Sequence, residues 1–428
     1  MPIAALEPML PDVEALRDRA AGVARAAGAL GRHLHPATLG AVTELLRTIN
    51  CYYSNLIEGH DTHPVEIERA LAADYARDPA KRNLQIEARA HIEVQRLIEQ
   101  RLDSEGGANV CDPEFLRWIH EEFYRRLPPD LRIVRHPTGD RDVEVQPGAL
   151  RTFDVQVGRH LAPPWRDLDA LLARFAVVYD PRHFARNGAQ PGRETFDEAR
   201  GLVALGAAHH RLLWIHPFGD GNGRVARLMT DAYLRRLRLG GHGLWTVSRG
   251  LARDTDRYRA ALAAADAERW NDYDGRGPRS AQALHAFCEF FLDVCADQIG
   301  YMGGLLALDA LLERVTAYGR ARESGAVQGT TGARSAGPRM GVGRGRPPVH
   351  FRAEATRLLR ALVAQGPIQR GEVRSITGAS ERTARRVVQE LSAEGFVVSA
   401  SHRARLELRF PAHAAPYLFP GLYGPPVS

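Results

Sequence analysis

The sequence is most constrained by one stretch of twelve residues, His216-Pro217-Phe218-Gly219-Asp220-Gly221-Asn222-Gly223-Arg224-Val225-Ala226-Arg227. Leucine and alanine recur at three- and four-residue spacing before it, which predicts a buried helix that ends near residue 215. Pro217 disfavours a helical conformation at His216, and the glycine-rich run suits a tight loop whose N–H groups face an anion. A second helix is predicted to start near Arg224, with its unpaired amides and positive dipole end facing the loop.

Three side chains of this stretch suit a triphosphate. Arg224 and Arg227 are three residues apart, so both reach one helix face and each can fork onto phosphate oxygens. Asp220 is free to hold Mg²⁺, which prefers few carboxylates together with substrate oxygens and water. A Walker-type phosphate loop is excluded, because no Gly-Lys-Ser/Thr follows and Lys81 is the only lysine. Zinc is disfavoured, because the nearby histidines lack the HExxH arrangement.

The stretch resembles the signature of Fic-domain enzymes, HPFx[DE]GNGRxxR, and matches it at every specified position. The resemblance implies that His216 is the general base, which takes the proton of a Ser, Thr or Tyr hydroxyl as that oxygen attacks the α-phosphorus of ATP. The activity implied is that of a protein adenylyltransferase, which moves AMP onto a protein hydroxyl and releases pyrophosphate. The implied ligands are Asp220 for Mg²⁺, the amides of Gly221, Asn222 and Gly223 for the anion, Arg224 for the phosphates and Arg227 for the γ-phosphate.

Gly223 bears on which group is transferred. Kinase-like relatives carry Lys at this position, so the glycine favours AMP transfer over phosphorylation. Transfer of UMP or phosphocholine stays open, because the stretch does not recognise the nucleobase.

A second element lies far upstream, Ser54-Asn55-Leu56-Ile57-Glu58-Gly59. Ser54 and Glu58 share one face of a predicted helix, and Gly59 suits its C-terminal cap. The element resembles the inhibitory motif of the Fic family, [ST]xxxE[GN]. The resemblance implies that Glu58 pairs with Arg227 in the place of the γ-phosphate, so that ATP binds only in a non-productive pose. In some relatives the same glutamate supports removal of AMP, and the sequence leaves that open.

Two further features of the catalytic region are candidates for binding. Gly148–Arg151 and Val155–Gly158 are predicted as short extended runs. They lie where Fic enzymes carry a β-hairpin flap that docks the target segment as an added strand, and an ordinary hairpin is the alternative. Tyr258 is a candidate adenine contact, since an aromatic face and a hydroxyl suit a purine. Packing in the core is the alternative for this residue.

The C-terminal region has a pattern of its own. Apolar spacing predicts three helices between residues 351 and 395, with Ser380 as an N-cap of the third, followed by two short strands. This pattern resembles a winged helix-turn-helix, a module often appended to Fic proteins. Dimerisation and target docking are alternatives to DNA binding for such a module. On the third helix a DNA-reading face would consist of Arg382, Arg385, Arg386 and Gln389.

The predicted fold is mainly α, with a Fic-type helical core, a small β-hairpin flap and a C-terminal winged helix-turn-helix. The excess positive charge lies in the linker and in the C-terminal module. The predicted domains are a helical region at 1–110 that carries the inhibitory helix, a Fic catalytic domain at 111–320, a flexible Gly/Arg-rich linker at 321–350, the winged module at 351–412 and a tail at 413–428.

The expected partners follow from these features. ATP is the co-substrate with Mg²⁺, and the acceptor is a Ser, Thr or Tyr hydroxyl of a target protein or of the chain itself. DNA is a partner if the winged module binds it, and a homodimer stays open. No hydrophobic run approaches the ~18 residues of a membrane span. Four cysteines without framework spacing indicate reduced thiols and a cytoplasmic location. The competing hypothesis is a DNA-binding regulator whose Fic core senses a nucleotide.

Overall fold

The computed structural model is mainly α-helical, which confirms the predicted fold class, and it describes residues 2–135, 139, 142–158, 160–187, 194–329 and 351–424. Two compact units divide the chain: Met1–Ala29 with Asn50–Gly300, and Leu30–Ile49 with Tyr301–Ser428. The α-helices are α1 (Val13–Ala29), α2 (Pro36–Ile57), α3 (Pro64–Leu71), α4 (Pro79–Ser104), α5 (Pro113–Tyr124), α6 (Leu168–Val178), α7 (Glu198–Ile215), α8 (Asn222–Arg236), α9 (Val247–Arg253), α10 (Thr255–Ala265), α11 (Ala281–Leu305), α12 (Leu308–Glu323), α13 (Ala353–Gln365), α14 (Val373–Thr377), α15 (Glu381–Ala393) and α16 (Ala415–Leu418).

The strands are short and pair as antiparallel hairpins. The pairs are β1 (Ile133–Arg135) with β2 (Asp142–Glu144), β3 (Gln156–Val157) with β4 (His160–Leu161), β5 (Ala185–Asn187) with β6 (Glu194–Phe196), and β7 (Val397–Val398) with β8 (Glu407–Leu408).

Two helices form the buried centre of the first unit. Of the 18 residues of α7, 14 are buried, and so are 12 of the 15 residues of α8. Helices buried on nearly all sides belong to the middle of a core rather than to its surface. Accordingly α7 contacts α1, α6 and α8, while α8 also contacts α4 and α5. The twelve-residue stretch begins in the loop that joins α7 to α8 and continues into the first turns of α8.

The end of α2 is fixed by a small apolar cluster. Cys51 packs with Ile67 of α3 and with Ala88 and Ile92 of α4, and all four side chains are 0% exposed. Burial of such side chains is worth roughly 1.5–3 kcal/mol each for the larger ones. This packing holds the last turn of α2, where the predicted inhibitory residues lie.

The predicted flap is only partly as expected. Val155–Gly158 contains β3, but the run Gly148–Arg151 is not a strand. Gly148 has a left-handed backbone (φ 75°), its N–H donates to Nδ1 of His120, and its carbonyl accepts from Arg117. These contacts anchor the run to α5, so β3 pairs forward with β4 instead.

The second unit contains the helices and strands predicted for the C-terminal region. Ser380 caps α15 by accepting a hydrogen bond from the N–H of Thr383, as predicted. α13 contacts α12, α14, α15 and β8. The region predicted as a linker begins within α12, and its residues 330–350 lie outside the described residues. The predicted tail is packed as far as it is described, since Leu418, Phe419 and Leu422 are 2% exposed or less.

Within the described ranges no single helix has both the length and the apolar character to cross a membrane. α11 and α12 pass that test only when taken together as a bent pair.

Candidate active site

The loop between α7 and α8 is held by its backbone and by one asparagine. His216 ends α7 in the left-handed conformation (φ 50°, ψ 60°), which costs a residue with a side chain about 1–2 kcal/mol. Gly221 precedes α8 with φ 76°, and a Cβ there would lie 2.8 Å from the ring of Tyr124. The Asn222 side chain accepts from the N–H of Phe218 and donates to its carbonyl, both at 2.9 Å. These contacts fix the loop between the two helices.

His216 is a neutral base in this loop. Its Nδ1 lies 3.3 Å from the carbonyl oxygen of Leu213, so this nitrogen carries the proton and Nε2 keeps its lone pair. Burial lowers the pKa of His216 to about 4; the contact with the Leu213 carbonyl acts against this shift, and the positive charge of Arg151 acts with it. A ring that is unprotonated at neutral pH can accept a proton from a hydroxyl.

The first turn of α8 gathers groups that suit phosphate. The first N–H groups of any α-helix have no acceptor within the helix, so the amides from Asn222 onward can face an anion. Arg224 and Arg227 are 7% and 4% exposed. Two buried guanidinium groups beside a helix N-terminus are groups that can bind an anion.

Arg227 is held by two residues at the end of α2. Its Nε donates to Ser54 Oγ at 2.9 Å, and its Nη2 donates to the Ser54 carbonyl at 3.0 Å and to the Glu58 carboxylate at 2.5 Å. Burial by itself would raise the pKa of Glu58, but the charges of Arg227 and Arg224 outweigh it and lower that pKa below its ordinary value. Glu58 is therefore ionised at neutral pH and binds the guanidinium to which the family resemblance assigns the γ-phosphate.

Gly223 provides the space for this ion pair. A Cβ at Gly223 would contact the Glu58 carboxylate and would lie 2.9 Å from Nη1 of Arg227. The absence of a side chain therefore lets Glu58 approach both the helix and Arg227.

Arg224 is held by a residue that sequence reasoning missed. Its Nη1 forms an ion pair with Glu87 of α4, and its Nη2 lies 3.5 Å from Asp220 Oδ2. Glu87 is 6% exposed and also lies 2.8 Å from Nδ1 of His60. Several polar residues of α4 are buried, and no local pattern distinguishes Glu87 from them. Both arginines of the predicted phosphate site thus bind carboxylates of the protein itself.

Asp220 fits the predicted role of a Mg²⁺ ligand. Its side chain is 43% exposed, and Oδ2 accepts a hydrogen bond of 2.6 Å from the Tyr124 hydroxyl. One exposed carboxylate beside an anion site suits Mg²⁺, which completes its shell with phosphate and water oxygens. In the part of the chain that the structure describes, no three His, Cys, Asp or Glu side chains cluster as metal ligands. A Mg²⁺ ion at Asp220 would therefore depend on substrate oxygens.

Tyr258 is placed in the core rather than on a binding surface. Its side chain is 2% exposed, and its hydroxyl lies 2.7 Å from Nε2 of His209. His209 contacts the Thr230 hydroxyl through its other ring nitrogen at 2.8 Å. The hydroxyl that was expected to suit a purine is thus satisfied inside the protein, and the packing alternative describes Tyr258 in this structure.

A cavity of about 1120 Å³ opens beside His216. Its walls are the hairpin β3–β4, the last turns of α7 and the end of α10 with the residues that follow. Asp266 lies 3.0 Å from His160 of the hairpin and 3.2 Å from His210 of α7, so it connects the walls. The volume exceeds that of most small-molecule pockets, roughly 300–1,000 Å³. His216 therefore lines a groove with room for a peptide segment.

Comparison with known proteins shows that the region around the α7–α8 loop is similar to a known family. Residues 110–234 match the Fic/DOC family. The chain is similar to proteins named protein adenylyltransferase Fic: 34% identical over 118 residues to that of Culex quinquefasciatus, covering 28% of this chain and 21% of the relative. It is 27% identical over 198 residues to that of Nematostella vectensis, covering 43% and 36%. The chain thus spans only a fifth to about a third of these relatives' lengths.

Solved structures give a weaker likeness. Fic-1 from C. elegans matches with a TM-score of 0.47 and 16% identity, over 68% of this chain and 72% of the other. A Fic family protein from Desulfovibrio desulfuricans G20 matches with a TM-score of 0.46 and 18% identity, over 91% and 95%. The family match itself includes the loop, all of α7, α8 as far as residue 234 and the hairpin β3–β4. Residues 110–234 therefore form a Fic domain, the part of the chain that matches the Fic/DOC family.

Proposed function

We propose that the chain is a protein adenylyltransferase, which transfers AMP from ATP to a Ser, Thr or Tyr hydroxyl of a target protein. The observation that carries the proposal is the position of His216. Its neutral ring lines the groove, and it lies six residues before Asn222, where α8 and its unpaired amides begin. The name of the relatives that match this region, protein adenylyltransferase Fic, supports the same chemistry.

In the proposed reaction the target hydroxyl lies in the groove and its oxygen attacks the α-phosphorus of ATP. Nε2 of His216 takes the hydroxyl proton as the new oxygen–phosphorus bond forms. The bond from the α-phosphorus to the oxygen that bridges to the β-phosphate breaks, and pyrophosphate leaves with that electron pair. The amides of Gly221, Asn222 and Gly223 and the guanidinium groups of Arg224 and Arg227 bind the phosphates. Asp220 would hold Mg²⁺, which supplies positive charge against the phosphate oxygens.

Glu58 restrains this reaction in the proposed mechanism. A γ-phosphate and the Glu58 carboxylate carry charges of the same sign and use the same guanidinium, that of Arg227. Their direct competition excludes a productive triphosphate as long as Glu58 stays in place. Replacing Glu58 by glycine removes the competitor and leaves His216 and Asp220 unchanged.

The test is intact-mass analysis after incubation with ATP and Mg²⁺. We expect Glu58→Gly to gain the mass of AMP, wild type to gain little, and Glu58→Gly/His216→Ala to gain none. Glu105→Gly is the matched control, because Glu105 also follows a helix end and pairs with an arginine, Arg101, at 3.2 Å. The proposal fails if Glu58→Gly labels neither itself nor any protein of a cell extract with ATP that is radiolabelled at the α-phosphate.

A second candidate function, DNA binding by the C-terminal unit, rests on α15. Its apolar residues Ala384, Val387, Val388 and Leu391 are buried, whereas its arginines face solvent. A helix that buries one face and presents arginines on the other suits a phosphate backbone or a major groove. The exposed arginines of α15 and of the β7–β8 connection are Arg382, Arg385, Arg386, Arg403 and Arg405.

Duplex binding at several salt concentrations tests this second function. Loss of Arg382, Arg385 and Arg386 together should lower the slope of log affinity against log salt by about 3, if each contacts one phosphate. Arg320→Ala is the control, because Arg320 is exposed on α12 and its replacement removes the same type of charge. Equal affinity of wild type and the triple variant would contradict a role of α15 in DNA binding.

A further inference from the structure

Arg151 is a buried guanidinium whose hydrogen bonds go to the backbone of two other segments. Its side chain is 0% exposed. Nη1 donates to the carbonyl of Phe153 at 2.8 Å, and Nη2 donates to that of Pro163 at 2.6 Å. Nε donates to the carbonyl of His216 at 2.8 Å, and Nη2 also reaches that of Ile215 at 3.4 Å. The carboxylate nearest to it is that of Asp154, whose side chain is 61% exposed and 3.7 Å away.

These contacts join the groove wall to the loop that carries the base. Phe153 and Pro163 flank the hairpin β3–β4, and the hairpin is closed at its base by the N–H of Ala162, which donates to the carbonyl of Val155 at 3.2 Å. On the other side, the backbone N–H of Arg151 donates to the carbonyl of Pro217 at 2.9 Å. One residue thus binds both the hairpin that lines the groove and three consecutive carbonyls at the end of α7.

His216 needs such support, because its backbone is in the left-handed region (φ 50°). Its N–H is bonded to the Leu212 carbonyl as part of the helix cap, while its carbonyl is free of the helix and accepts from Arg151. A guanidinium presents five N–H donors in one rigid plane, which fixes several carbonyls relative to each other. A buried charge without a buried carboxylate is costly, so a purely structural contact is served better by an uncharged side chain.

We propose that Arg151 is a positioning residue for the adenylyl transfer, which holds His216 in its left-handed conformation and couples it to the hairpin on which the target docks. This inference rests on the proposed function. Arg151 contacts neither nucleotide nor target in this arrangement and acts through the carbonyls of Ile215, His216 and Pro217. Its loss should therefore lower the rate of transfer and leave the binding of ATP at Arg224 and Arg227 unchanged.

Arg151 also contributes charge near the base. Its positive charge lowers the pKa of His216, after the larger effect of burial, so an uncharged replacement should raise that pKa. The other titratable and charged groups that act on His216 or line the groove are His160, Glu58, His210, Arg259, Asp266, Glu268 and Arg279. These groups are the same in every variant apart from Glu58, which is replaced throughout.

The test compares Arg151→Gln and Arg151→Lys in the Glu58→Gly background. For Arg151→Gln we expect the maximal rate of self-labelling to fall on the order of 100-fold, the typical cost of a catalytic group displaced by about 1 Å. The ATP concentration at half-maximal rate should stay the same. Arg151→Lys keeps the charge but has three donors on a flexible stem, so it should keep the pH profile and lose most of the rate.

Arg314→Gln is the matched control, because Arg314 also donates to two backbone carbonyls, those of Leu418 and Leu305, in the other unit. It should reduce thermal stability without changing the rate or its pH profile. Titration of His216 by NMR with labelled histidine needs no activity, and Arg151→Gln should move its midpoint to higher pH. An unchanged midpoint or an unchanged maximal rate overturns the role of Arg151. An inactive Glu58→Gly parent contradicts the proposed function and leaves the NMR result to decide on Arg151.

Discussion

The α7–α8 loop has a phosphate side and a groove side, and within the described ranges only the phosphate side is occupied by other side chains of the protein. On the phosphate side, defined by Arg224 and Arg227, each guanidinium is buried and bound to a carboxylate from α4 or from the end of α2. On the groove side, defined by His216 and its cavity, about 1120 Å³ is open. In the proposed mechanism, the protein's own carboxylates occupy the site of the triphosphate and leave the groove of the target open. Under that proposal, control acts on the triphosphate rather than on access of the target.

The charge states on the two sides are complementary. The pKa of Glu58 lies below its ordinary value, so this carboxylate is ionised and binds Arg227 at neutral pH. The pKa of His216 is lowered to about 4, so this ring is neutral at the same pH. Under the proposed function, His216 is thus in the protonation state of a base while Glu58 holds Arg227. We therefore expect that removal of Glu58 is sufficient for AMP transfer, without any change at His216.

The largest expected effect is on the rate of AMP transfer and comes from replacing Asp220, which lies in the loop between the two sides. In the Glu58→Gly background, Asp220→Asn should lower the rate of AMP transfer on the order of 100-fold, because the ligand of Mg²⁺ loses its charge. The rate should be measured as a function of Mg²⁺ concentration, with saturation shifted to higher values. Asp103→Asn is the control, since Asp103 is 68% exposed and pairs with Arg235. An unchanged Mg²⁺ dependence would remove Asp220 from the phosphate side.

A smaller effect concerns His216 on the groove side. It is measured as the pH dependence of the rate of AMP transfer by the Glu58→Gly variant. A histidine with the ordinary pKa of about 6.5 is roughly 90% protonated at pH 5.5, and its rate as a base falls about tenfold from pH 7.5. Burial lowers the pKa of His216, so the neutral form persists as the pH falls and is lost only near pH 4. We expect similar rates at pH 7.5 and 5.5. A tenfold loss over this range would show that the ring is not buried as described.

The phosphate side is largely predictable from the sequence, because most of its residues lie in one short stretch. A loop that leads into a helix fixes the positions of Asp220, Arg224 and Arg227 through local backbone geometry alone. The i,i+4 spacing places Ser54 and Glu58 on one helix face, but their pairing with Arg227 was implied only by the resemblance to the inhibitory motif, and the structure brings both to Arg227. Local spacing is therefore enough wherever the chain supplies the groups from one or two neighbouring turns.

Residues that act over long distances in the sequence are not predictable in this way. Glu87 reaches Arg224 only because α4 packs against α8 with one particular face. Arg151 is one of many arginines, since only one of the chain's 57 lysine and arginine residues is a lysine. Its burial depends on carbonyls from two other segments. The prediction of an extended run that begins at Gly148 was wrong for the same reason, because side chains of α5 determine that backbone.

The smallest expected effect separates the two contacts that close the phosphate side. Ser54 accepts from Nε of Arg227 at 2.9 Å and lies 3.2 Å from Nε2 of His91, whereas Glu58 contributes the charge. Ser54→Ala removes a hydrogen bond worth about 1 kcal/mol and leaves the ion pair with Glu58. That free energy corresponds to about a fivefold rise in AMP transfer over wild type, well below the rise for Glu58→Gly.

Self-labelling rates of the two single variants and of the double variant decide whether the contacts act together. Because Ser54 and Glu58 both position the same guanidinium, the double variant should exceed Glu58→Gly by less than Ser54→Ala exceeds wild type. Full additivity would mean that Ser54 acts independently of Glu58, through His91 rather than through Arg227. A fall in rate for Ser54→Ala would instead show that Ser54 keeps Arg227 in place for the γ-phosphate. Restraint of the phosphate side would then rest on the Glu58 carboxylate alone.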